Sequence, residues 1–165
     1  MAVIVETGAI VANANSYVTL AEARAYALAR GVTLSATDSA VEILLTKAMD
    51  YLEAQRDRYQ GCKVSPDQAL QWPRAGVCLD GYDIAITAIP AVLKSAQMQL
   101  AMDAVSYDLQ PNRTPNSKGA IIKERIEGAV ERDYAEPVSL TPFYRKAEAL
   151  LQPLYKAVDG FFVRA

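Results

Sequence analysis

The stretch SAVEILLTKAMDYLEAQRDRYQG, residues 39 to 61, constrains this chain more than any other. Val41, Leu44, Leu45, Ala48, Leu52 and Tyr59 recur every three or four residues, while Glu42, Lys47, Asp50 and Glu53 line other faces. That period is the mark of an amphipathic helix, whose apolar stripe must be buried against neighbouring elements. Ser39 followed by Glu42 has the spacing of a capping box, and Gly61 is the residue type that closes a helix. The spacing thus predicts a long helix whose stripe packs a core.

Three further segments share this logic. In YVTLAEARAYALARG, Thr19 and Glu22 form a capping box, Leu20, Ala23, Tyr26 and Ala27 make a semi-apolar stripe, and Gly31 lies just past the end. In IPAVLKSAQMQLAMDAVSYDL, Pro90 suits a first turn, and Leu93, Ala96, Leu100, Ala101, Ala104 and Val105 mark the buried face. Its alanines predict close approach to another helix. In TPFYRKAEALLQPLYKAV, Thr141 is the expected N-cap and Pro142 the first residue; Tyr144, Ala147, Leu151 and Leu154 form the stripe, and Pro153 should end or kink it. Residues 1–17 read as an extended N-terminal arm with a short strand at Val3 to Val5. Residues 62–89 read as mostly irregular, rich in Pro, Gly and Asp.

The period changes at AIIKERIEGAVERDYAEP, a β-hairpin turning near Gly128. A two-residue turn at Glu127-Gly128 would oppose Glu124 to Glu131 and Lys123 to Arg132. A three-residue loop, 127 to 129, instead pairs Ile126 with Val130, Arg125 with Glu131, Glu124 with Arg132, Lys123 with Asp133 and Ile122 with Tyr134. Opposite-charge pairs contribute about 0.2–1 kcal/mol each, so the second register should win.

Composition excludes several chemistries. The 165 residues include no histidine, which removes the commonest general base and metal ligand. Cys62 and Cys78 are too few and too widely spaced for a zinc site, and reduced thiols are expected. Asp80 and Asp83 in LDGYD lack calcium-loop spacing and read as solvated loop acids. No phosphate loop, nucleophile elbow or dinucleotide glycine pattern is present. The 17 basic residues against 19 acidic ones leave no overall electrostatic footprint for phosphate binding. No signal peptide or membrane span is expected. The nine tyrosines mostly join apolar stripes, so core and interface roles precede base stacking.

QALQWPRAG, residues 68 to 76, holds the lone tryptophan. Pro73 restricts the residue before it to extended geometry, so Leu70 and Trp72 can point together into a helical core. Arg74 can then cap helix-end carbonyls or pair with an acid such as Asp50 or Glu53. On this reading Tyr59, Gly61, Leu70, Trp72, Pro73 and Arg74 are structural anchors that pin an irregular connection. The functional alternative is base stacking on Trp72 beside Arg74.

NSYVTLAEARAYALARG, LLTKAMDYLEAQRDRYQG, QALQWPRAG and IPAVLKSAQMQLA, in that order, resemble the tailed-phage head–tail connector (adaptor, head-completion) family. Many of its members carry the label "DnaT-like single-stranded DNA-binding protein". The resemblance covers roughly residues 15 to 155. The family's motif residues fall on Tyr17, Tyr51, Tyr59, Gly61, Gln68, Leu70, Trp72, Pro73, Arg74, Ile89 and Pro90. It implies a mainly α fold: a small helical bundle of about four main helices with a protruding β-hairpin (120–135) between the last two, in a single domain spanning 1–165. It also implies a structural virion protein without catalysis or cofactor, in the phage neck after assembly in the host cytoplasm. Its partners would be copies of itself in a ring, usually of twelve, the portal protein, and a tail-side neck or tail-terminator protein. DNA would pass through the ring without tight binding. The alternatives are a single-stranded DNA-binding replication protein and, least sustainable, a small enzyme. Two segments are poorly suited to a lone monomer. One is the apolar hairpin face Ile122, Ile126, Val130 and Tyr134; the other is the tail 159–165, with Phe161, Phe162 and Val163. The expectation is that the hairpin packs on neighbouring subunits and the tail docks on the portal.

Overall fold

The computed structural model of the chain describes residues 2–111, 123–126, 130–133 and 144–156. The chain divides into two compact units, Met1–Leu109 with Tyr144–Ala165, and Gln110–Phe143. The first contains helices α1 (Leu20–Leu28), α2 (Asp38–Ala54), α3 (Ala91–Asp103) and α4 (Arg145–Leu151), the last continued by a 3-10 turn, Gln152–Leu154. Two short antiparallel ladders lie between α2 and α3: β1 (Cys62–Lys63) on β2 (Arg74–Ala75), and β3 (Cys78–Leu79) on β4 (Tyr82–Asp83). The second unit holds the ladder β5 (Lys123–Ile126) on β6 (Val130–Asp133). The described fold is therefore four helices combined with small antiparallel ladders, a more mixed architecture than a pure bundle.

In the first unit α3 is central and packs against α1, α2 and α4. Leu93, Ala96, Leu100 and Ala101 are fully buried there, and the two alanines permit the close helix approach that the sequence implied. Val105 departs from the expectation. The helix ends at Asp103, the next residues turn, and Val105 faces solvent. Helix α1 begins as expected: Thr19 accepts from the Glu22 amide at 3.1 Å, while Glu22 accepts from the Thr19 amide at 2.7 Å.

Helix α2 differs from its sequence reading at both ends. It starts at Asp38 with Thr37 in the cap position, and Ser39 lies inside the first turn. At its other end, the amides of Gln55, Arg56 and Arg58 bond back three residues, and the regular helix stops at Ala54. Tyr59 is thereby released from the helix and forms an antiparallel bridge with Tyr155. Gly61 does not close the helix; it sits at φ +62° where the chain turns towards β1. Helix α4 starts at Arg145 after Tyr144, and the 3-10 turn around Pro153 ends it as expected. Thr141 and Pro142 lie outside the described residues.

The N-terminal arm is not simply extended. Val5 bridges Ser16, and the Glu6 amide donates to the Ser16 carbonyl at 2.8 Å, so the segment folds back on itself. In the second unit the register is the three-residue-loop one: Lys123 opposite Asp133, Glu124 opposite Arg132, Arg125 opposite Glu131 and Ile126 opposite Val130. Ile122, Tyr134, the turn 127–129 and the tail with Phe161, Phe162 and Val163 lie outside the described residues.

Candidate functional site

Among the described residues, 60–76 carry a dense set of side-chain anchors, of which Gln68 is the first. Its carbonyl oxygen accepts from the amides of Val64 and Ser65 at 3.0 and 3.1 Å; its amide nitrogen donates to the carbonyls of Leu70 and Pro73 at 2.8 and 3.0 Å. Buried polar groups without such partners cost stability, so one saturated glutamine fixes both sides of this loop. Leu70 and Trp72, two residues apart, are both buried, as their spacing predicted. Trp72 is completely enclosed and meets Tyr59 edge-on, with ring centroids 6.0 Å apart. Its indole N–H has no hydrogen-bond partner among the described residues. Tyr59 in turn packs on Tyr155 at 5.7 Å, and its hydroxyl donates to the Leu52 carbonyl. Pro73 is buried, and the peptide before it is cis.

Of the two roles expected for it, Arg74 takes the carbonyl-binding one, at the turn that follows α2. Its Nε donates to the Gln60 carbonyl at 2.7 Å and Nη2 to the Gly61 carbonyl at 2.8 Å, and Nη1 reaches Gln71. The guanidinium thus ties together the turn after α2. The planar fork suits two successive carbonyls. Burial pulls its pKa down. Glu53 serves the loop from the other side, accepting from the Gln71 amide at 3.0 Å and from the Tyr17 hydroxyl at 3.3 Å. That hydroxyl accepts from the Trp72 amide at 3.2 Å. Burial, reinforced by the Glu53 charge, holds the Tyr17 pKa well above its ordinary value. Gly61 completes the arrangement: a Cβ there would stand 2.0 Å from the Ala75 carbonyl oxygen.

Three further polar centres escaped the sequence reading. Gln97, fully buried on α3, accepts from the Tyr17 amide at 2.9 Å and donates to Ser16 Oγ at 2.8 Å, tying the N-terminal arm to the central helix. Its signal was a glutamine inside the stripe of Leu93, Ala96 and Leu100. Glu6, also fully buried, accepts from the amides of Gly8, Ile10 and Val11 at 2.7, 3.1 and 2.8 Å. Glu148 on α4 accepts from the Tyr51 hydroxyl at 2.7 Å and from Arg58 at 3.2 Å. Burial and then the Glu148 hydrogen bond raise the Tyr51 pKa; burial and then the Glu148 charge raise that of Tyr155.

These residues hold a framework together. Tyr59, Gly61, Leu70, Trp72, Pro73 and Arg74 are brought into one region, and each is engaged with the protein itself. Trp72 and Arg74, the pair that base stacking would need at the surface, are both turned inward. Among the described residues no three of His, Cys, Asp and Glu cluster as a metal site would require, and Cys62 and Cys78 are exposed free thiols. No described helix is long and apolar enough to cross a membrane.

A family model described as "Putative DnaT-like ssDNA binding protein" matches residues 1–165. That description accords with the single-stranded DNA-binding alternative and does not mention a connector. The search of curated proteins and the search of solved structures each returned no match.

Proposed function

The chain belongs to the DnaT-like family, and we propose that within it this protein is a non-catalytic assembly subunit, a head–tail connector that forms a ring through which phage DNA passes. The observation that carries this reading is the inward orientation of the family's most specific motif. Trp72 has no exposed surface, and Arg74 is bound to backbone carbonyls, so QALQWPRAG stiffens a scaffold and offers nothing for a base to stack on. Several surface cations are engaged as well. Arg24 meets Asp38 at 2.7 Å, Arg58 meets Glu148, and Lys156 donates to the Asp57 carbonyl. With 17 bases against 19 acids, phosphate is not strongly attracted, which suits a conduit. The self-paired hairpin of the second unit supplies an element that a ring-forming subunit can use against its neighbours.

The family's description favours a second reading, direct binding of single-stranded DNA. That reading requires a surface cationic track and exposed aromatics; Tyr82 and Tyr107 are the large aromatics most exposed among the described residues. Titration of a labelled oligothymidine at about 150 mM salt separates the two. The connector reading expects weak binding with a shallow salt dependence, alongside oligomers detected by light scattering. Sub-micromolar binding with a steep salt slope, by a protein that stays monomeric, establishes the second reading instead.

A further inference from the structure

Among the described residues the β5–β6 ladder has two strands, and each of them presents one outer edge of backbone N–H and C=O groups. Residues opposite one another share a face. Lys123 with Asp133 and Arg125 with Glu131 lie on one face; Glu124 with Arg132 and Ile126 with Val130 lie on the other. The charges therefore sort by strand as well as by face. On the first face β5 carries only cations and β6 only anions, whereas on the second β5 carries Glu124 and β6 carries Arg132. The outer edges of the two strands are thus complementary to each other on both faces, and neither is complementary to itself.

We infer that the hairpin joins copies of this chain head to tail, the β6 edge of one copy pairing antiparallel with the β5 edge of the next. The inference deepens the connector reading and rests on its requirement that copies associate. In the register that the hairpin already uses, Glu131 of one copy meets Arg125 of the next, Arg132 meets Glu124, and Asp133 meets Lys123, so every charge pair is opposite. Antiparallel ladders alternate between hydrogen-bonded and non-bonded pairs. The residues whose backbone groups are unused inside the hairpin are therefore the ones that bond outward on both strands, and the same register serves at the outer edges. Two-fold pairing does the reverse. β5 on β5 about Glu124 opposes Glu124 to itself and Lys123 to Arg125; β6 on β6 about Arg132 opposes Arg132 to itself and Glu131 to Asp133. About these centres the isologous dimer opposes like charges, so the pattern favours the heterologous contact, which closes into a ring when the rotation between copies permits.

The test is a polarity swap. A chain carrying Lys123→Glu, Glu124→Lys, Arg125→Glu, Glu131→Lys, Arg132→Glu and Asp133→Lys keeps every opposite pair within its own hairpin. It also keeps complementarity towards its own copies, but meets wild type with like charges at both edges. Native mass spectrometry of isotopically distinguished chains, mixed under exchanging conditions, should show two self-sorted oligomer populations. Mixed species should be depleted by roughly tenfold below the binomial share. Wild-type assembly should also weaken as salt rises. Statistical mixing with oligomers intact overturns the edge pairing and leaves the connector reading standing. Enrichment of mixed species points to isologous pairing and overturns it too, as do wild-type oligomers that tighten with salt. A wild-type chain that stays monomeric at high micromolar concentration overturns both the pairing and the connector reading.

Discussion

Trp72 shows how far single residues could be read from the sequence. A large apolar side chain held extended by the following proline had to point somewhere, and the spacing from Leu70 said inward; both are buried. Replacing it with alanine removes a fully enclosed aromatic and its edge contact with Tyr59. Trp72→Ala should cost about 3–5 kcal/mol in chemical denaturation; a variant that unfolds with the wild-type midpoint returns Trp72 to a surface role. Gly61 was legible as a special position but for the wrong reason. Its sequence context suggested a helix end, while its necessity comes from the Ala75 carbonyl, which lies far along the chain and leaves no room for a Cβ. Gly61→Ala should therefore destabilise by more than ~1 kcal/mol, beyond the usual backbone-entropy effect of opposite sign. Gln97 and Glu6 were not legible in role. A buried amide or carboxylate looks like any polar residue until the backbone groups that it satisfies are known.

At the scale of elements, the helices were legible in existence and their ends only in part. The Thr19–Glu22 box formed because both partners lie within one turn. Ser39 and Glu42 had the same spacing, yet α2 began at Asp38, one residue earlier. The other end of α2 was set by tertiary pairing: Tyr59 leaves the helix to bridge Tyr155, a partner that local pattern does not reveal. The ladders within 62–83 were missed because two-residue strands carry no period. The β5–β6 register was legible because charge decides between two discrete alternatives, and the observed pairing is the one with opposite charges opposed. Its energetic content is testable by a double-mutant cycle. Glu124→Arg alone should destabilise the hairpin, and Glu124→Arg with Arg132→Glu should recover the loss, with a coupling of about 0.2–1 kcal/mol. Strictly additive losses would reject the pair as a source of register.

At the scale of the molecule, the first unit rests on a central helix and on buried tyrosines, of which Tyr17 and Tyr51 are hydrogen-bonded to acids. Tyr17, Tyr51, Tyr59 and Tyr155 all have pKa values raised above the ordinary value of 10.0, each first by burial. A proton held more tightly in the folded state than in the unfolded one stabilises fully below the unfolded pKa and less as pH rises beyond it. Stability should therefore be flat across neutral pH on account of these groups and fall above about pH 10. Tyrosinate absorbance from the buried rings should appear together with loss of helical signal; its appearance in a still-folded protein would show that those rings are open to solvent. The four helices and the intervening hairpin were readable from period and charge, whereas the role of the whole was not, because the motif residues that stand out in the sequence are engaged with the protein itself. The central claim is that these scaffolds associate with one another and do not coat a DNA strand. Electron microscopy of the purified protein, with and without single-stranded DNA, tests it most directly. The account predicts closed rings with a central opening that are unchanged by DNA; separate monomers that line up along the strand would contradict it.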